Sequence, residues 1–144
     1  MRTTKLLIVL LSLHSLVSGA EFKPVPKPKT MITLQQLKEM FSNMRAKTKW
    51  NLDGDMLWGY FFTDPDLKKL ESIAKHLSET GFHVVSIHPT DDQSTHVLHV
   101  ERVEHHTPET LDIRNKEFEA LAVKFHIETY DGMDVGPVPP KSNK

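Results

Sequence analysis

Phe82-His83-Val84-Val85-Ser86-Ile87-His88, then Pro89-Thr90-Asp91-Asp92-Gln93, then Thr95 to Val103 is the stretch that decides the fold. Valine, isoleucine and phenylalanine dominate its flanks, and such residues suit a half-buried pleated surface, whereas the proline and aspartates between them suit a turn. The pair reads as an antiparallel hairpin. Just upstream, Gly81 supplies a left-handed stop to a helix opened by Asp64-Pro65 and striped by Leu67, Leu70, Ile73, Ala74 and Leu77. Just downstream, Thr107-Pro108 caps and opens another helix, with Leu111, Phe118, Leu121, Ala122 and Phe125 on one face. Met56 to Phe62 reads as a strand ahead of the first of these helices, and residues 126–130 as a short last strand ended by an Asp131-Gly132 turn. From Met56 the order is β-α-β-β-α-β, so the fold class is α+β with the ferredoxin-like split βαβ pattern.

Ahead of this unit, Thr33 is a good N-cap for a further helix, in which Leu34, Leu37, Met40, Phe41 and Met44 make one apolar stripe. Lys23-Pro24-Val25-Pro26-Lys27-Pro28-Lys29 reads as an extended spacer over residues 21–30, because each proline ring fixes φ and removes a donor. The proline-rich end, residues 138–144, is expected to be a disordered tail. The folded domain is then residues 31–137, with no internal repeat.

At the other extreme, Arg2 and Lys5 flank the start of an apolar run, Leu6 to Val17, that ends in Ser18-Gly19-Ala20. A basic start, a short apolar core and small residues at its end are the marks of a secretory signal peptide, with cleavage expected after Ala20 and a periplasmic or secreted destination. The run is about half the roughly 20 residues a membrane-crossing helix requires. Without residues 1–20, sixteen basic side chains face nineteen acidic ones, a net charge of −3. The absence of cysteine excludes thiol chemistry and a lipid anchor on that residue, and leaves an exported domain to rely on its core alone.

In the expected topology both helices cover one face of the sheet, so alternate residues of each strand point away from them. One register sends Leu57, Phe61, Val85, Ile87, Leu98, Val100 and Ile127 to the helices. Trp58, Tyr60, His99, Glu101, Glu128 and Tyr130 then share the opposite face. Such a mixture of aromatic anchors and carboxylates has the make-up of a protein interface. The N-terminal helix also has a stripe to bury, and it would meet that need by covering this second face. The rim formed by Tyr130-Asp131-Gly132-Met133-Asp134, Glu101 and Glu104 would still be exposed.

The residues expected to contact a partner are therefore Trp58, Tyr60, His99, Glu101, Glu104, Tyr130, Asp131, Met133 and Asp134. Thr107, Pro108, Arg114, Asn115 and Gly132 have structural readings: a cap, a helix opener, two braces on the last helix and a positive-φ turn residue. Asn115 in particular is a poor mid-helix residue and is expected to bond a neighbouring strand or the Asp131 turn. His99 and Glu101 two apart on a strand face, with His105-His106 adjoining, invite a metal reading, yet no recognised ligand spacing is present, so no metal or cofactor is expected. RNA-recognition domains share this topology and stack bases on aromatics of the two central strands, but the third strand here has none, and a net negative chain lacks the counterion-release drive for binding nucleic acid. No phosphate loop, nucleophile elbow or thiol is present, so no catalytic residue is assigned.

Trp58-Gly59-Tyr60-Phe61-Phe62, His99-Val100-Glu101 with Glu104, His106-Thr107-Pro108-Glu109, Arg114-Asn115 and Tyr130-Asp131-Gly132 resemble the motifs of the regulator of ribonuclease E activity B family, a set of small α+β protein-binding domains. The resemblance spans residues 50–137. It implies a non-catalytic domain that binds and restrains the endonuclease initiating RNA turnover. An exported chain never meets that cytoplasmic enzyme, so the expectation is the family's fold acting on an unidentified envelope protein. A retained cytoplasmic ribonuclease E inhibitor and a small-ligand or metal-binding periplasmic domain are the alternatives.

Overall fold

A computed structural model describes residues 31–141, so the expectations for a signal peptide, a spacer and the last three residues of the tail lie outside the described residues. Within them the chain is an α+β domain of three helices and one open four-stranded antiparallel sheet. The succession is α1 (Leu34–Lys47), β1 (Met56–Asp64), α2 (Leu67–Glu79), β2 (His83–Pro89), β3 (His96–Glu104), α3 (Pro108–Lys124) and β4 (Thr129–Pro137). Hydrogen bonds order the strands β2-β3-β1-β4.

Local chemistry sets the helix ends. Thr33 and Gln36 form a reciprocal capping box on α1, and Thr107 with Thr110 does the same on α3, with Pro108 in its first turn. Gly81, at φ +94°, ends α2 in the left-handed region. The cap of α2 is Asp66 rather than the expected Asp64-Pro65 pair. Asp64 is instead the buried last residue of β1, and its carboxylate accepts the backbone N–H of Asp66 and of Glu128, both at 2.8 Å. It ties the start of α2 to the entry of β4.

Two expectations about the strands are corrected. β4 is nine residues long, because Asp131-Gly132 forms a bulge within the strand and not a turn that ends it. Gly132 takes the φ of +97° that this bulge needs, and pairing with β1 resumes with Gly132 opposite Phe61. The facing of β1 is also opposite to expectation. Tyr60 pairs with Val100 and Phe62 with Leu98, and all four are fully buried with Trp58. The face turned to the helices is thus Trp58, Tyr60 and Phe62, while Leu57, Gly59 and Phe61 lie on the other. Burying a large aromatic side chain contributes about 1.5–3 kcal/mol, so three of them outweigh Leu57 and Phe61 in deciding which side faces in. In β2, Val84 and Ile87 pack toward the core and Val85 is exposed at a bulge.

All three helices occupy that one face. Phe118 of α3 meets Tyr60, Phe62 and Phe82 edge-on, and Leu70, Ile73 and Leu77 of α2 belong to the same core. The stripe of α1 is buried beside α3, with Phe41 stacked on Trp58 at 6.1 Å between ring centres. It does not cover the second face of the sheet, contrary to that expectation. Among the described residues no element packs there.

Candidate functional site

Alternation along β3 splits one acidic, histidine-bearing stretch between two environments. Leu98, Val100, Arg102 and Glu104 point to the helices, and Val97, His99, Glu101 and Val103 point away. Each set meets a different neighbourhood.

On the helix side, Glu104 is the hub of a sealed polar network. Its carboxylate accepts the Tyr60 hydroxyl at 2.7 Å, the Arg114 guanidinium at 2.6 Å and, at 3.1 Å, approaches His106 Nε2. The backbone carbonyl of Glu104 accepts Trp58 Nε1 at 3.2 Å, and His106 Nδ1 lies 3.1 Å from the Thr110 hydroxyl. Burial works to raise the Glu104 carboxyl, yet the bonds from His106 and Tyr60 and the Arg114 charge outweigh it and hold the group at about 2. Burial, followed by the adjoining Glu104 carboxylate, pushes the Tyr60 phenol well above its ordinary range. Further along the sheet, Tyr130 donates to Asn115 Oδ1 at 2.7 Å, and burial drives the Tyr130 phenol upward too. So Asn115 bonds a strand as its unusual place in a helix suggests, but through its carbonyl oxygen.

These bonds connect β1, β3, β4 and α3, and they give Trp58, Tyr60, Tyr130 and Glu104 a task in folding. Trp58, Tyr60 and Tyr130 expose 1%, 0% and 6% of their surface and His99 8%, which leaves a partner almost nothing to touch on any of the four. Their assignment to a partner surface is corrected on that ground. Met133 is half-buried against the same core, opposite Tyr60. Asp131 is exposed on the bulge of the outer strand. Thr107, Pro108, Arg114 and Asn115 all lie at the start or along the inner side of α3, and Gly132 in the bulge.

The opposite face brings His99, Glu101 and Asp134 together. His99 is stacked flat on Phe61, ring centres 4.5 Å apart and planes 16° from parallel, and its Nε2 lies 3.4 Å from Glu101 Oε1. Gly59 sits at the centre of this arrangement. A Cβ there would stand 2.2 Å from Asp134 Oδ1 and 2.8 Å from His99 Nε2, so both side-chain heads lie across the glycine. A glycine inside a strand weakens it, and here its bare backbone is the floor that lets an imidazole and a carboxylate lie down on the sheet. None of these contacts braces a helix. Gly59 and Phe61 were missed as site residues; a glycine in mid-strand, between two aromatic positions, was the available signal.

Beyond the end of β3, an open groove of about 480 Å³ runs over the sealed network, lined by Arg102, Val103, His105, Ile113, Arg114 and Glu117 among others. Its cations are already engaged: Arg114 with Glu104 and Glu117, and Arg102 near Glu104 and over the Phe82 ring. Among the described residues, no three histidine, cysteine, aspartate or glutamate side chains could hold a metal ion, and no helix is long and apolar enough to cross a membrane.

One sheet face sealed by three helices, and polar groups that either brace the fold or lie flat on the face where no described element packs, define a small α+β domain. The family is specific as well: a family model for the regulator of ribonuclease activity B (RraB) matches residues 34–135, and the chain belongs to that family. No curated protein matches it.

Proposed function

We propose that this chain is a non-catalytic regulator that works by docking the open face of its sheet onto a protein partner. The observation that carries this reading is the assembly of the half-buried Glu101, Asp134 and Phe61 around Gly59 and the buried His99, on a face where no described element packs. Family membership supports a regulatory over a catalytic role. The strand order β2-β3-β1-β4 supports a ferredoxin-like split βαβ unit with α1 added at one side. The proposal includes export, supported by Arg2 and Lys5 ahead of the apolar run and by Ser18-Gly19-Ala20 after it. An exported domain meets an envelope protein; a retained one meets the ribonuclease.

A photo-crosslinking residue placed at Ser86, which pairs with His99 on the open face, tests the docking surface against one placed at Lys75 on the outer side of α2. Crosslinks in the native compartment are expected from position 86 and not from 75, and the reverse pattern rejects the surface. Fusing the first thirty residues to a reporter active only outside the cytoplasm decides the compartment.

A further inference from the structure

Resting on the docking reading above, we infer that the chain supplies its own competitor for the docking face: residues 21–30 dock there in the free protein, and the partner displaces them. No described element packs on this face, yet His99 exposes only 8% of its surface, Gly59 is buried, and Leu57, Phe61, Val97, Glu101 and Asp134 are half-buried. On its outer strand β2, by contrast, His83 and His88 are exposed. Burial is concentrated over β1, β3 and β4, and it takes in apolar side chains that an uncovered sheet face would leave to water. Such a patch suits a further segment of polypeptide.

The described domain begins beside that patch. A Cβ on Gly132, in the bulge of β4 opposite Phe61, would stand 3.4 Å from Ile32 Cδ1. Just ahead of Ile32 in sequence, Glu21-Phe22-Lys23-Pro24-Val25-Pro26-Lys27-Pro28-Lys29-Thr30 holds three lysines and three prolines. A proline-rich extended segment advances about 3.1 Å per residue, so these ten reach about 30 Å. Four strands about 4.8 Å apart are about 14 Å across. The segment therefore has the length to cross from β4 to Ser86 on β2. Its lysines complement the carboxylates of Asp134 and Glu101, and its proline rings and Val25 complement Phe61 and Leu57. Tethering holds it at a local concentration on the order of millimolar, so weak contacts suffice and a tighter partner still displaces it.

The photo-crosslinking residue at position 86 tests this in the full chain purified from its native compartment and mixed with an isotope-labelled copy. Mass spectrometry should find the crosslink within one chain, to a peptide from residues 21–30. Replacing Lys23→Gln, Lys27→Gln and Lys29→Gln together should weaken that product at least threefold, shift the amides of Gly59, Phe61 and Asp134, and raise crosslinking to the partner in the native compartment. Lys68→Gln on α2 should change none of these. Products between copies, products to residues 1–20, no product within the chain, or products unmoved in the triple variant overturn the inference. So does partner crosslinking that stays level when the lysines are lost. Partner crosslinks from position 86 with no product within the chain would leave the docking face standing and remove only its competitor. Crosslinks confined to position 75 would remove the docking face itself.

Discussion

The two faces of this sheet carry similar chemistry and put it to opposite use. On the helix side, Glu104, His106, Tyr60 and Arg114 satisfy one another inside the protein. On the other side, where no described element packs, Glu101, His99, Phe61 and Asp134 gather over a glycine with no described helix to hold. Composition alone does not distinguish a brace from a recognition surface; the neighbours do. A buried carboxylate that joins two strands and a helix is needed before any partner arrives, whereas Glu101 lies on the face where no described element packs.

The comparison breaks most sharply at Glu104. Replacing it with alanine strands the Arg114 guanidinium and the Tyr60 hydroxyl, and loss of one member of such a buried network costs about 3 kcal/mol or more. Glu101→Ala on the other face should cost less, because no described helix or buried phenol depends on its carboxylate. Urea unfolding of both variants measures the gap, and equal losses would mean that the two faces are not different in kind.

Acid sharpens the same contrast. The Glu104 carboxyl is held at about 2 in the folded protein against an ordinary value of 4.5, so its stabilising contribution is complete above pH 4.5 and is lost as pH falls toward 2. At about 1.4 kcal/mol for each unit, that contribution is about 3 kcal/mol. The stability difference between the natural protein and Glu104→Gln should therefore shrink across this window in denaturant titrations at stepped pH. A difference that stays constant from neutrality to pH 2 would show that the carboxylate charge is not what the network uses.

Tyr130→Phe is a smaller cut on the sealed side. It removes the donor to Asn115 and should cost about 1–2 kcal/mol. Crosslinking from position 86 should be unchanged, since Tyr130 is turned away from the open face. Loss of the crosslink at normal stability would return this tyrosine to the partner surface.

Which parts of this were legible beforehand follows from how the residues advertise themselves. The helix stripes, the caps at Thr33 and Thr107, the Gly81 stop and the β2-β3 hairpin are local signals, and each appears in place save Leu67, which is exposed at the start of α2. The facing of β1 was not legible from period two, because both of its alternating sets are apolar: Met56, Trp58, Tyr60 and Phe62 against Leu57 and Phe61. Size decides between them. The set holding Gly59 leaves a gap that a core cannot tolerate, and the set with the indole N–H and the phenol finds acceptors at Glu104. Asp131-Gly132 misled for a different reason. Aspartate-glycine serves a hairpin turn and a bulge equally well, and only the alternation resuming at Met133-Asp134-Val135 marks the strand's continuation. Of the candidate site, His99 and Glu101 were reachable as polar residues in a strand and Asp134 only as part of a turn, while their convergence over Gly59 depends on cross-strand pairing that no single segment encodes.

Gly59→Ala has the smallest expected effect on stability and separates the two faces most cleanly. The new methyl group would occupy the space held by Asp134 Oδ1 and His99 Nε2, which are the far ends of side chains that can shift. Glycine in a strand is about 0.5–1 kcal/mol less favourable than alanine, which offsets part of the cost of that movement, so the urea midpoint should change by less than about 0.5 kcal/mol in stability. Binding should respond quite differently. With the carboxylate and imidazole lifted off the sheet, crosslinks from position 86 should weaken. A folded alanine variant that crosslinks normally from position 86 would show the groups over Gly59 to be bystanders. One that fails to fold would instead make Gly59 part of the structural brace and erase the distinction between the faces.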